Sequence, residues 1–346
     1  MAARLVLVLV TVSLVVACSS GEAREDAGSS ASRTTVTGLH VPWGIAFLPG
    51  GDALVSERST GRILRISSDG SRKRVVMRLP GVDTGAGEGG LLGLAVSPAY
   101  RRDRLVYAYF TSGRDNRIVR FRLGGEVHPI LTGLRRGFIH NGGRIAFGPD
   151  GKLYAGVGET GDTALAQNLG SLNGKILRLN RDGSVPSDNP FPRSLVWSLG
   201  HRNVQGLAWD SSGRLWATEF GQDTFDEVNV IRGGHNYGWP EVEGRGSTDG
   251  GRLTNPVATW RTSDASPSGA AVRRGILYIG ALRGEAVLRL RLNGARARKL
   301  PPLLHDEFGR IRTVARAPDG SLWVSTSNRD GRGDPDRGDD RILRLR

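Results

Sequence analysis

The sequence predicts an all-β chain arranged as a six-bladed β-propeller, and three observations carry that prediction. An apolar run, a turn built on Pro, Asp or Gly, and a second apolar strand recur six times along the chain. The copies are spaced by about 44 to 63 residues, the order of length of a four-stranded propeller blade. The region after the N-terminal apolar stretch shows no convincing 3.6-residue apolar period, and 50 Gly with 16 Pro in 346 residues punctuate it with turns.

The copies follow in order. Gly44-Ile45-Ala46-Phe47 precedes Pro49-Gly50-Gly51-Asp52, and Gly93-Leu94-Ala95-Val96 precedes Ser97-Pro98. Arg144-Ile145-Ala146-Phe147 precedes Gly148-Pro149-Asp150-Gly151, and Gly206-Leu207-Ala208-Trp209 precedes Asp210-Ser211-Ser212-Gly213. A faint fifth copy surrounds Gly269-Ala270-Ala271-Val272, and the last is Thr313-Val314-Ala315-Arg316 before Ala317-Pro318-Asp319-Gly320. The second strands, such as Ala53-Leu54-Val55-Ser56-Glu57 and Ser321-Leu322-Trp323-Val324-Ser325, are short and bounded by turn residues. Asp150-Gly151 and Asp319-Gly320 suit tight hairpins because Gly accepts a positive φ without steric cost.

The N-terminus carries an address. Arg4 is followed by an apolar stretch from Leu5 to Ala17, too short for an ordinary membrane span and suited to a signal peptide. It ends Val15-Val16-Ala17-Cys18, which resembles a bacterial lipobox, and Cys18 is the only cysteine. The resemblance implies cleavage before Cys18 and attachment of a lipid to it. Residues 1–17 are then a lipoprotein signal peptide, 18–33 a flexible tether, and 34–346 the propeller domain. The expected location is the outer face of the bacterial cell membrane, with contact to the membrane through the lipid anchor only.

The net charge of +14 raises the question of nucleic acid. Only four lysines occur (Lys73, Lys152, Lys175 and Lys299), so the excess is arginine spread over every repeat. No basic block is interleaved with aromatics as a single-strand binder requires. An exported protein also meets little nucleic acid, and the expectation is that it binds none.

Five segments that interrupt the repeats are more specific. They are Gly87-Glu88-Gly89-Gly90-Leu91-Leu92-Gly93, His140-Asn141-Gly142-Gly143-Arg144, Leu199-Gly200-His201-Arg202-Asn203-Val204-Gln205-Gly206, Asp226-Glu227-Val228-Asn229 and Asn236-Tyr237-Gly238-Trp239-Pro240. In this order they resemble the soluble quinoprotein sugar dehydrogenases, namely the aldose sugar dehydrogenases dependent on pyrroloquinoline quinone (PQQ) and their soluble glucose dehydrogenase relatives. The resemblance covers the chain from about Leu39 onward. It implies a six-bladed propeller that oxidises the anomeric hydroxyl of aldoses to lactones, with PQQ and Ca2+ over the central axis. The implied partners are an aldose sugar and an electron acceptor of unknown identity.

Imidazole is the side chain best suited to take a hydroxyl proton near neutral pH, and His140 matches the family's catalytic base. His201 reads as structural support. Arg202 and Asn203 match the pair against the quinone, where a cation or donor would stabilise charge arriving on its oxygen. The carboxylates of PQQ call for cationic forks. Arg283 falls where the family usually carries a lysine, and Arg310 and Arg312 match its paired arginines. Their i, i+2 spacing at a strand start places that pair on one face. For calcium, the resemblance implies carbonyl oxygens of Gly221 and Gln222 at the active site, and Glu227 with Tyr237 at a structural site.

Three departures from the family pattern stand out. Glu88 replaces a cofactor-binding glutamine, which is unfavourable beside quinone carboxylates unless an arginine pairs with it. Ile139 replaces an aspartate that precedes the histidine in the glucose-specific branch. Gln222 replaces a proline in the calcium loop. Together they favour the broader aldose branch. Two further readings stay open at this level: a calcium-dependent propeller lactonase, and a non-catalytic propeller lipoprotein that binds glycans or a partner protein.

Overall fold

In a computed structural model, the protein is described over residues 33–85 and 87–346, all of which fall in one compact unit. Cys18, the apolar stretch before it and the tether up to residue 32 lie outside the described residues. Six four-stranded antiparallel sheets follow one another as blades. Blade 1 runs Pro42–Phe47, Ala53–Glu57, Arg62–Ile66 and Lys73–Arg78, and blade 2 runs Leu91–Val96, Val106–Thr111, Asn116–Phe121 and Val127–Leu134. Blade 3 is Ile145–Phe147, Leu153–Val157, Lys175–Leu179 and Val196–Leu199; blade 4 is Val204–Trp209, Leu215–Glu219, Phe225–Ile231 and Ala258–Arg261. The faint fifth repeat is a full blade, Pro267–Arg273, Ile276–Ala281, Ala286–Asn293 and Arg296–Leu303.

Blade 6 closes the ring. Its strands Ile311–Arg316, Leu322–Thr326 and Ile342–Leu345 take their fourth partner from the other end of the domain, Arg33–Val36, with Arg33 opposite Arg344. Joining first and last strands in one sheet removes the free edge an open ring would present. The expected six-bladed propeller is the observed fold. The longer repeat steps reflect two insertions, residues 158–174 in blade 3 and 232–257 in blade 4. Among the described residues, no helix is long and apolar enough to cross a membrane.

The recurring apolar motif builds the contacts between blades. Buried clusters fill each blade-to-blade interface, one joining Tyr107, Tyr109 and Ile118 of blade 2 to Ile145, Leu153 and Ala155 of blade 3. The aromatic that ends a first strand meets the second strand of the preceding blade edge-on. Phe147 does so with Tyr107 at 5.0 Å, Trp209 with Tyr154 at 5.3 Å, and Phe47 with Trp323 at 5.3 Å. Such pairs add about 0.5–1.5 kcal/mol each beyond their burial. Near the axis the blades press together: a Cβ on Gly93 would lie 2.2 Å from the Gly143 carbonyl oxygen. All first strands run the same way through the ring, so the loops that precede them share one face. The turns that follow them share the other.

Candidate active site

His140 lies in the loop entering blade 3 and is almost fully buried. Its backbone sits in the left-handed region, at φ 53°, between the half-buried Ile139 and the buried Asn141. Three contacts fix it. The Nδ1 atom lies 2.8 Å from Oε1 of Glu159, its N–H donates to Oε2 of Glu88 at 2.9 Å, and its carbonyl accepts from Thr160. Gly158 is required beneath it, because a Cβ there would lie 2.0 Å from the His140 carbonyl oxygen. In the tautomer whose Nδ1–H donates to Glu159, Nε2 is the ring's acceptor nitrogen. That state suits a general base.

Next to the His140 loop lies a cavity of about 220 Å³, lined by Glu88, Asn141 and Gly142 together with Arg58, Arg312 and Arg332, while His140 itself is not part of the wall. Trp43, Gln205, Phe138, Phe220, Leu282 and Asp330 complete most of the wall. Arg310 and Arg312 converge on one oxygen, Oδ2 of Asp330, at 3.0 and 3.7 Å. Burial pushes the Asp330 carboxyl up, but the two guanidiniums outweigh it and hold the group below its ordinary value. Arg312 also donates to Oε1 of Gln205 at 3.2 Å, while its Nε is buried without a partner. Burial pulls this guanidinium below its usual range.

Glu88 does meet an arginine: Arg332 donates to its Oε1 at 2.8 Å. Burial raises the Glu88 carboxyl, yet the His140 N–H and Arg332 more than offset it, so the group stays ionised. Arg202 and Asn203 stand one step back from the cavity wall. Arg202 lies over the Trp239 ring at 5.5 Å and donates to the Phe220 carbonyl at 3.3 Å, with its Nε buried and unpartnered. Oδ1 of Asn203 accepts from the Gly142 N–H at 3.1 Å and from Gln205 at 3.0 Å, bracing the histidine loop. Arg283 is exposed beside the cavity-lining Leu282 and is not part of the wall. His201 is fully buried between Ser198 and Glu219 and stacks on Tyr237, a structural position.

The loop at Gly221 and Gln222 follows Phe220 of the cavity wall. Four successive N–H groups, from Gln222 to Phe225, converge on Oε1 of Glu243 at 2.7 to 3.1 Å. This fixes the loop, and the Gly221 and Gln222 carbonyls have no donor among the described residues. Hard, uncommitted carbonyl oxygens fit a calcium ion. Glu227 already accepts from Asn229 at 2.9 Å and from the Gly244 N–H at 2.6 Å. The Tyr237 hydroxyl donates to the Val230 carbonyl at 2.7 Å, so it is committed to the strand Phe225–Ile231. Oδ1 of Asn229, beside Glu227, is a buried acceptor with no partner. Among the described residues, no three His, Cys, Asp or Glu side chains converge as a metal site.

Sequence reasoning missed Glu159, Asp330, Arg58, Arg332 and Trp43. For Glu159 a signal existed. Glu57, Glu159 and Glu219 end or follow the second strand of their blades, and each carboxylate contacts a histidine residue 17, 19 or 18 positions earlier. Glu57 does so through the His40 N–H. Glu159 thus supplies His140 with the neighbouring carboxylate that Ile139 does not.

A sequence profile of the glucose/sorbosone dehydrogenase family matches residues 39–343. The chain belongs to that family of oxidoreductases. It is similar to the PQQ-bound aldose sugar dehydrogenase of Streptomyces coelicolor, with 54% identity, 90% of this chain and 96% of that chain covered, and a TM-score of 0.86. It is 31% identical to aldose sugar dehydrogenase YliI of Escherichia coli, over 85% of this chain and 89% of that protein. Quinoprotein glucose dehydrogenase B of Acinetobacter calcoaceticus is 31% identical over 70% of this chain and 60% of its own length.

Proposed function

We propose that this protein is a PQQ-dependent aldose sugar dehydrogenase in which His140 removes the proton of the anomeric hydroxyl. The observation that carries the reading is His140, locked by Glu159 at the edge of a cavity walled by cations. Bound PQQ would supply the quinone that takes up the sugar's C1 hydride, and the Gly221 and Gln222 carbonyls would hold a calcium ion able to polarise that quinone.

The fit rests on the donor set. Arg58, Arg312 and Arg332 line the cavity, Arg332 already paired with Glu88 and Arg312 beside Asp330, and the buried, unpartnered Nε atoms of Arg202 and Arg312 are donors awaiting acceptors. His140 holds the C1 hydroxyl through Nε2 and takes its proton as the hydride leaves, while Glu159 stabilises the imidazolium that forms. The sugar loses two electrons and two hydrogens, one as hydride and one as the proton on His140, and becomes a lactone. Arg202 and Arg312 place fixed positive charge where negative charge accumulates. The proposed location is the outer face of the cell membrane, through a lipid on Cys18.

The test is reconstitution. Purified apo-protein loaded with PQQ and calcium should reduce a dye on addition of aldoses, and neither cofactor alone should suffice. A folded protein that takes up no PQQ at micromolar concentration defeats the reading.

A further inference from the structure

The positive charge is not spread evenly over the two faces of the ring. On the face opposite the cavity, the turn after the first strand carries an aspartate in every blade but the fifth, where the turn is Arg274-Gly275, and each of these five aspartates already faces an arginine. Asp52 pairs with Arg65, Asp150 with Arg178, Asp210 with Arg214 and Asp319 with Arg344, while Asp103 approaches Arg181 at 3.7 Å. The arginines of the same turns are therefore surplus. Arg101, Arg102, Arg104, Arg273, Arg274 and Arg316 have no carboxylate within ion-pair distance among the described residues, and all but the half-buried Arg273 are exposed.

They form two groups on the ring. The first sits in the helical turn of blade 2, Tyr100–Asp103, and its capping residue Arg104. The second spans blades 5 and 6, where Arg273, Arg274 and Arg316 share one surface depression with Arg344 and Arg346. Exposed acids occur on both faces, Asp69, Glu126, Asp182 and Asp188 beside the arginine turns and Asp223, Asp264, Asp306, Glu307, Asp334 and Asp336 on the cavity face, but none of them lines the depression of the second arginine group or lies in the turn of the first.

The chain itself indicates what meets the basic face. Residues 1–32, which carry the expected lipid site, join the described domain at Arg33, which pairs with Arg344 in the sheet. The described domain thus begins beside the second arginine group. We propose that the arginine turns of blades 2, 5 and 6 form a docking face for an anionic lipid bilayer, which holds the propeller with its cavity turned away from the membrane. The inference does not require the dehydrogenase reading. It uses the lipid anchor only to explain why a bilayer lies within reach. Basic residues at an anionic leaflet each strengthen binding by roughly fivefold, and the attraction weakens as salt shortens the screening length. An outward-facing mouth leaves the cavity open to soluble sugar.

The test uses the full chain as Cys18→Ser, so that no lipid is attached, with sedimentation on vesicles. Binding to vesicles containing 30 mol% phosphatidylglycerol should exceed binding to pure phosphatidylcholine by at least tenfold in about 0.1 M salt, and should fall by an order of magnitude at about 0.5 M. The triple variants R101E/R102E/R104E and R273E/R274E/R316E should each lose tenfold or more. The cavity-face control R114E/R337E should change less than twofold. Thermal melting checks folding, and the two triplets test the face independently if one proves unstable. Equal binding to neutral vesicles, or unaltered binding by both triplets, overturns the proposal. So does tighter binding to a DNA duplex than to the anionic vesicles at matched salt.

Discussion

Replacing Glu159 with alanine separates the orientation of the base from the binding of the cofactor. The wild-type contact is a hydrogen bond of 2.8 Å between Nδ1 of His140 and a carboxylate that is 1% exposed, so water does not substitute for it. A hydrogen bond to a charged group contributes about 1.5–3 kcal/mol. If that energy selects the productive ring orientation, its loss lowers kcat by about ten- to 150-fold. Glu159 is absent from the cavity wall, so the Kd for PQQ should move by less than about threefold. The assay is dye reduction with PQQ, calcium and sugar saturating, beside PQQ titration followed by tryptophan fluorescence. Glu159→Ala also frees the Gly161 N–H, which the same carboxylate accepts, and a drop in Tm should accompany it. Glu159→Gln keeps an acceptor in place and should recover most of the Tm and part of kcat. A Glu159→Ala protein with kcat within twofold of wild type refutes the orienting role. Loss of PQQ affinity in step with kcat would show that the loop has collapsed instead.

Three further outcomes follow from the same geometry. Asp330→Asn releases Arg310 and Arg312 from their shared anion, so PQQ affinity should rise by about tenfold, roughly one charge-assisted contact; weaker binding would count against the cationic clamp. Lys175 is fully buried with its ammonium on three carbonyls, and burial pulls its pKa down to about 7. Between that value and the ordinary 10.5, the unfolded chain binds a proton that the folded chain has released, so stability from this group rises with pH. Urea unfolding at pH 7, 8.5 and 10 should show wild type gaining on Lys175→Met as pH rises, and a constant gap would refute the titration. Cys18→Ser should move the protein out of salt-washed membranes into the soluble fraction with its specific activity unchanged, and continued retention would exclude the lipid anchor.

Much of this architecture was legible because each blade repeats a local rule. The six apolar motifs with their Pro, Asp and Gly turns correspond to six first-strand hairpins, and even the faint copy at Gly269 is a complete blade. His140 was legible because its chemistry and its glycine-rich loop coincide. Closure of the ring was not, since Arg33–Val36 pairs with Ile342–Leu345 across the whole domain and has no local signature. Asp330 was hidden for a similar reason. It lies in the long loop between Thr326 and Ile342, and only the folded ring brings it to Arg310 and Arg312. Arg283 shows the converse. Its motif position suggested a cofactor clamp, but Arg283 is exposed and only its neighbour Leu282 lines the cavity. A strand end alternates direction residue by residue, so a match in motif does not by itself fix which neighbour points inward.

The most direct measurement is a single turnover. Wild-type protein and His140→Gln, each loaded with PQQ and calcium and kept anaerobic, are mixed with an aldose while the quinone absorbance is followed. The account predicts similar PQQ affinity for both proteins, with reduction slower in His140→Gln by about two to four orders of magnitude, the usual contribution of a positioned base. Equal reduction rates at saturating PQQ would contradict the assignment of His140 as the base. Absence of any sugar-dependent change in the loaded wild type would contradict the sugar dehydrogenase reading itself.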